Sequence, residues 1–117
     1  MSGIIQANLS KESGLVSLSP GVAKAYCQIT RLGILEDNDY NVEGITATSL
    51  GNRTIIWDVD FSNVNYCVLT SQASTYTAFF EHAVFAVGSV RLECRNSANN
   101  AYQDTPSSTV AFGTNNV

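Results

Sequence analysis

The side chains able to do acid–base, nucleophilic or metal chemistry are few here, and they are scattered. Asp58 and Asp60 alternate within Arg53 to Phe61. On an extended strand they would stand roughly 7 Å apart, a separation compatible with two-carboxylate glycoside hydrolysis. No cleft signal surrounds them, so a solvated strand face is the favoured assignment. Asp37, Asp39 and Asn41 occupy the first, third and fifth positions of a calcium-loop pattern, but Val42 and Thr48 replace the glycine and closing glutamate it requires. That segment is expected to be a turn. His82, the single histidine, follows Glu81 in an aromatic stretch. Without partners at catalytic or metal spacing, it reads as a hydrogen-bonded sheet or interface histidine.

Cys27, Cys67 and Cys94 are odd in number and irregularly spaced, which fits neither a disulfide framework nor a zinc ligand set. All three are expected to be reduced, buried small hydrophobes. The triplets Asn8-Leu9-Ser10 and Asn52-Arg53-Thr54 match the glycosylation sequon but are common by chance. Trp57 and Phe61 could stack on a sugar, yet their alternation with Asp58 and Asp60 turns them inward, to the core. Tyr76 and Tyr102 differ, because each stands in a polar run with Ser74 or with Asn99 and Asn100. Tyrosine among asparagine and serine is the composition of adaptable binding loops. The alternative is that these two rings close the ends of the fold.

The elements that would position these groups are strands. A period of two runs from residue 23 onward, with no sustained helical recurrence. Ala23, Ala25, Cys27 and Ile29 alternate with Lys24, Tyr26, Gln28 and Thr30; Glu36-Asp37-Asn38-Asp39 turns the chain. A second strand is expected over Tyr40 to Thr48, a third over Arg53 to Phe61, and a fourth over Tyr66 to Ser71. Tyr76 to Val87 forms one strand or two, Val90, Leu92 and Cys94 mark another, and Ser108 to Phe112 the last. About seven strands with turns every eight to twelve residues predict an all-β antiparallel β-sandwich, jelly-roll-like or immunoglobulin-like. Residues 1–21, punctuated by Ser10-Lys11-Glu12-Ser13-Gly14 and Ser19-Pro20-Gly21, are expected to be a connector or inter-subunit arm, and 22–117 the domain.

Composition narrows the function classes. The 117 residues carry 44% hydrophobic but only 14% charged side chains, which suits a packed domain whose surface is largely neutral. Such a surface suits burial against further copies of the chain. A net charge of −4 without a basic cluster argues against nucleic acid and against insertion at anionic membranes. The first 21 residues contain no basic start followed by a continuous apolar run, so neither a secretory signal nor a membrane span is expected. No metal or cofactor is implied.

The order of several short segments resembles the C-terminal receptor-binding (knob) domains of bacteriophage tail fibres and tailspikes. Ala23-Lys24-Ala25-Tyr26 is similar to their opening strand, and Tyr40-Asn41-Val42-Glu43-Gly44-Ile45-Thr46 to a following segment. Arg53 to Phe61, Tyr66-Cys67-Val68, Gly88-Ser89-Val90-Arg91-Leu92 and Val110-Ala111-Phe112-Gly113 continue the series. Asp104-Thr105-Pro106 stands where that family often has Asp-Pro, and Tyr26 where it often has Trp. The resemblance covers residues 23–113. It implies a homotrimeric β-sandwich at the tip of a virion tail fibre, joined to a fibre shaft or other virion proteins. It also implies assembly in the host cytoplasm, consistent with unpaired cysteines, and contact with a host-surface glycan such as lipopolysaccharide or with an outer-membrane protein. Receptor contacts are then expected in Ser71 to Tyr76 (Ser74, Tyr76), Asn96 to Asp104 (Asn99, Asn100, Tyr102) and Asp37 to Tyr40 (Asp37, Asp39). The competing expectations are a structural trimerisation or capping module, or a capsid-fibre knob, without a receptor, and a glycan depolymerase fragment using Asp58 and Asp60.

Overall fold

The computed structural model describes residues 19–72 and 78–115. Seven strands follow in order: β1 (Ala23–Ile29), β2 (Val42–Ser49), β3 (Asn52–Trp57), β4 (Cys67–Gln72), β5 (Ala78–Ala86), β6 (Ser89–Asn96) and β7 (Ser107–Phe112). They form a three-stranded sheet, β1-β7-β4, and a four-stranded sheet, β2-β3-β6-β5, with every neighbouring pair antiparallel. The all-β two-sheet sandwich matches the sequence expectation. First and last strands are neighbours, whereas the immunoglobulin order places them in opposite sheets, so the immunoglobulin-like alternative is set aside.

The core lies between the sheets and is built from alternate positions. Ala25, Cys27 and Ile29 of β1, Val68 of β4 and Ala111 of β7 face Ile55 and Trp57 of β3 and Val90 and Leu92 of β6. At one end Trp57, Phe61, Tyr66 and Phe85 pack ring against ring; Phe61 and Tyr66 stack at 4.0 Å between centroids. The Tyr66 hydroxyl accepts a hydrogen bond from Trp57 Nε1 at 3.2 Å and lies 2.7 Å from both the Ala86 and Ser89 carbonyls. A buried phenol needs such partners, because its desolvation would otherwise cost about 1–3 kcal/mol.

Three expectations are corrected. The third strand ends at Trp57 rather than Phe61, because Asn41, at φ 58°, accepts the Val59 N–H on Oδ1 at 2.7 Å and donates Nδ2 to the Val59 carbonyl at 3.3 Å. The chain therefore bends at Asp58, so Asp58 and Asp60 lie on an exposed turn rather than on a strand face, while Trp57 and Phe61 are both buried as expected. Lys24 does not alternate outward. A bulge between Ala23 and Ala25 carries it inside, where its Nζ donates to the carbonyls of Ser19 and Val22. Cys67 is exposed, because Tyr66 and Val68 take the inward positions on either side of it; Cys27 and Cys94 are buried as expected. Burial, with the Asp39 carboxylate adding to it, pushes the Cys27 thiol up to about 12.

His82 bridges the sheets. Its Nε2 lies 3.0 Å from Thr70 Oγ1 on β4, and that hydroxyl lies 3.0 Å from Thr109 Oγ1 on β7.

Candidate functional site

The loop from β6 to β7 builds the most organised polar site. β6 runs past the end of β3, whose Asn52 pairs with Glu93, and the returning loop takes β3's place beside it. Cys94 N–H donates to the Gly51 carbonyl at 2.8 Å, Gln103 N–H to the Cys94 carbonyl at 3.0 Å, and Asn96 N–H to the Ala101 carbonyl at 2.8 Å. Gly51, at φ 75°, permits this approach: a Cβ there would stand 2.6 Å from the Cys94 carbonyl oxygen. Within the loop, short side chains cap backbone donors as asparagine does in turns. Asn96 Oδ1 accepts from Ala98 N–H at 2.8 Å, and Asn99 Oδ1 accepts from Ala101 N–H at 3.1 Å. Asn100 takes a left-handed φ of 60°.

Two charged groups anchor the loop. Asp104 Oδ1 accepts from Gly51 N–H at 2.8 Å and from Arg53 Nη2 at 3.0 Å, and the same Nη2 lies 2.7 Å from the Arg31 carbonyl. Arg53 is buried, so its charge requires this carboxylate. On the outer face of β6, Glu93 accepts from Arg91 Nη2 at 2.8 Å and from Arg95 Nη2 at 3.3 Å. Tyr102 Oη also donates to Glu93, at 3.2 Å, while Arg95 lies over the Tyr102 ring at 4.2 Å from its centroid. Desolvation raises the Glu93 carboxyl, but hydrogen bonds from Arg91, Tyr102 and Arg95 and the Arg91 charge outweigh it. The group is held below the ordinary glutamate range.

Between these anchors lies a groove of about 340 Å³, lined by Arg31, Leu50, Asn96, Asn99, Ala101, Tyr102, Gln103 and Asp104. Asn96 Nδ2 donates to Gln103 Oε1 at 2.7 Å, and Gln103 Nε2 to Thr105 Oγ1 at 3.1 Å, so the amides have fixed orientations. Leu50 and Tyr102 are exposed and supply apolar surface beside them. The arrangement mixes amide donors and acceptors, a cation and an aromatic ring. Its one carboxylate, Asp104, is already engaged by Arg53 and Gly51.

Of the expected contact residues, Asn99 and Tyr102 line this groove. Asn100 shapes it through its backbone, its carbonyl accepting from Arg95 Nη1 at 3.3 Å. Asp37 and Asp39 sit on the segment that runs along the free edge of β1, apart from the groove lining; Asp39 N–H donates to the Asp37 carbonyl. Asn41, at the fifth position of the calcium-like pattern, is spent on Val59. Ser74 and Tyr76 lie outside the described residues. Among those residues, no three His, Cys, Asp or Glu side chains gather to hold a metal. Sequence reasoning missed Arg31, Leu50, Arg53, Glu93 and Arg95. For the last two a signal existed, since Arg91, Glu93 and Arg95 alternate on one strand face.

A comparison with protein-family models, curated proteins and solved structures gives no match to this chain.

Proposed function

We propose that this domain is a non-enzymatic receptor-binding module, the knob at the tip of a bacteriophage tail fibre, that binds a glycan of the host surface through the β6–β7 groove. The observation that carries the glycan assignment is the pairing of the exposed Tyr102 ring and Leu50 with the oriented amides of Asn96, Asn99 and Gln103. A pyranose presents the same combination, an apolar C–H face ringed by hydroxyls. Aromatic surface and fixed hydrogen-bond partners meet those two features separately. The phage assignment rests on the order of segments over residues 23–113. Binding without cleavage is favoured because the groove's single carboxylate is tied into an ion pair, while two-carboxylate hydrolysis requires a facing pair.

In this proposal three copies at a fibre tip engage one cell together, so weak single contacts combine into useful avidity. The test is titration of the purified chain with host-derived surface polysaccharides. Tyr102→Ala and Asn99→Ala are expected to weaken binding about 10-fold each, the loss of one oriented contact, with the chain still folded and its thermal midpoint only slightly lowered by the lost Glu93 and Ala101 hydrogen bonds. Full binding by both variants removes the groove from the function. A well-folded wild type that binds no host surface material supports a structural capping role instead.

A further inference from the structure

The chain is acidic, with a net charge of −4, yet arginines collect around the β6–β7 groove. Arg31 lines it, Arg53 stands behind it against Asp104, and Arg95 lies over the Tyr102 ring at its margin. The acids are distributed differently. Asp58 and Asp60 follow the far end of β3, and Glu43 adjoins Val42, which pairs with Trp57 at that same end. Glu36, Asp37 and Asp39 lie on the segment that returns along β1, where Glu36 N–H donates to the Gln28 carbonyl and Tyr40 pairs with Tyr26. At the groove itself Asp104 is neutralised by Arg53. Beyond its margin Glu93, with Glu81 opposite, is matched by Arg91 and Arg95. Arg31, Arg53 and Asp104 together leave one positive charge at the groove.

The position of Arg31 is built into the fold. Thr30 N–H donates to the Ile34 carbonyl at 2.8 Å and Gly33 N–H to the Thr30 carbonyl at 2.9 Å, which closes a turn around Arg31. Arg53 Nη2 clamps that turn through the Arg31 carbonyl at 2.7 Å. Gly33, at φ 83°, lies so close over the guanidinium that a Cβ would stand 2.8 Å from Arg53 Nε. The ion pair that anchors the β6–β7 loop therefore also fixes the backbone of Arg31, and it sets this exposed cation beside the oriented amides of Asn96 and Gln103.

We infer that the groove selects saccharides bearing an anionic group, a carboxylate or a phosphate, and that Arg31 determines this specificity. The inference rests on the proposed glycan reading and deepens it: Tyr102, Leu50 and the amides take the sugar ring, and Arg31 takes its charge. A guanidinium offers a planar pair of donors that matches either anion bidentately. Set in a concave surface, it attracts an anion more strongly than the same charge would on a flat one. The remaining surface of an acidic chain repels an anionic polymer, so approach is productive at the groove end.

The test is calorimetric titration of the full 117-residue chain with a uronate oligosaccharide, the same oligosaccharide with its carboxylates reduced to alcohols, and a phosphorylated oligosaccharide. At low ionic strength a charged probe is expected to bind at least about 10-fold more tightly than the reduced one. The difference is expected to shrink in about 0.5 M salt, and the probe preferred, uronate or phosphate, identifies the anion. Arg31→Gln, which keeps the backbone carbonyl that Arg53 engages, is expected to bring the charged and reduced probes to the same affinity. Arg31→Lys is expected to restore part of the difference, as a point charge without the bidentate fork. Equal binding of all three probes by wild type, still weakened by Tyr102→Ala, overturns the anionic specificity while the glycan reading stands. A preference that survives in Arg31→Gln overturns the role of Arg31. Binding of no probe by the folded chain overturns the glycan reading and this inference together.

Discussion

The two outer faces of the sandwich are made by the same alternation and yet differ in what they present. On the four-stranded sheet, Thr54, Arg91 and Val84 form one cross-strand row, and Asn52, Glu93 and Glu81 the next. Glu81 and Glu93 stand directly opposite each other, an unfavourable pairing that the Arg91 and Arg95 guanidinium groups offset at Glu93. That face carries the Arg91–Glu93–Arg95 charge network, continuous with the groove through Tyr102. The three-stranded sheet presents tyrosine, valine, leucine, phenylalanine, serine and glutamine instead. A face whose charges are already paired can remain in water at little cost, whereas an uncharged one gains from being covered. The division sets a charge-bearing face beside the groove of the proposed ligand contact against a face whose strands carry no outward charge.

The largest effect should come from adding the same charge to the middle of each face. Val110→Glu sits at the centre of the β1-β7-β4 outer face and would bury an unpaired carboxylate wherever the proposed assembly of three copies covers that face. Association is expected to fall roughly 100-fold or more, since an uncompensated buried charge costs several kcal/mol. Thr54→Glu, on the facing central strand of the other sheet and beside Arg91, is expected to leave the assembly mass unchanged. Sedimentation of both variants decides the point. Equal dissociation by the two would erase the distinction between the faces.

How much of this was legible in the sequence depends on whether a feature is local. Strand periodicity is local, and the strands fall within a few residues of the expected positions. The third strand overran because its stop is a pair of hydrogen bonds from Asn41, 18 residues away in sequence. Alternation alone puts Lys24 outside, whereas the bulge between Ala23 and Ala25 turns it in, toward carbonyls set by a turn at Ser19. Cys67 was misplaced for the opposite reason. The alternation in Tyr66-Cys67-Val68 already assigned it outward, and a general preference of cysteine for interiors was allowed to overrule it. The groove was half visible. The asparagine-rich loop and Tyr102 stand out by composition, but Arg31 and Leu50 reach it only through the Gly51 and Arg53 contacts with Asp104.

Glu93→Gln sharpens the ligand side of the comparison with a smaller effect. The substitution keeps the shape but removes the charge that collects Arg91, Arg95 and Tyr102. Tyr102 then loses its fixed orientation at the groove margin. Glycan affinity is expected to fall about 10-fold, in line with a disturbed hydrogen-bond network, while the assembly mass stays the same. An unchanged affinity in calorimetric titration would mean that the ring is positioned by the loop backbone alone.

The smallest expected effect lies between the faces, at His82. Burial lowers its pKa because the protonated ring would lose hydration in the inter-sheet space beside Thr70 and Phe85. A group whose folded value lies below its unfolded value contributes stability that is complete above the unfolded pKa. As pH falls below about 6.5, the unfolded chain takes up the proton first, and stability declines until the folded protein is protonated as well. Glu93 is also held low, but its contribution is complete above the ordinary glutamate value, near 4.3, and is lost only in more acid solution. The two groups therefore act in separate pH windows, the interior one first. His82→Gln keeps a hydrogen-bonding side chain opposite Thr70 and cannot titrate. Its denaturation midpoint is expected to be flat between pH 7.5 and pH 5.5, where the wild-type midpoint slopes downward. Equal slopes for the two proteins would move the first acid-sensitive step away from the sheet interior.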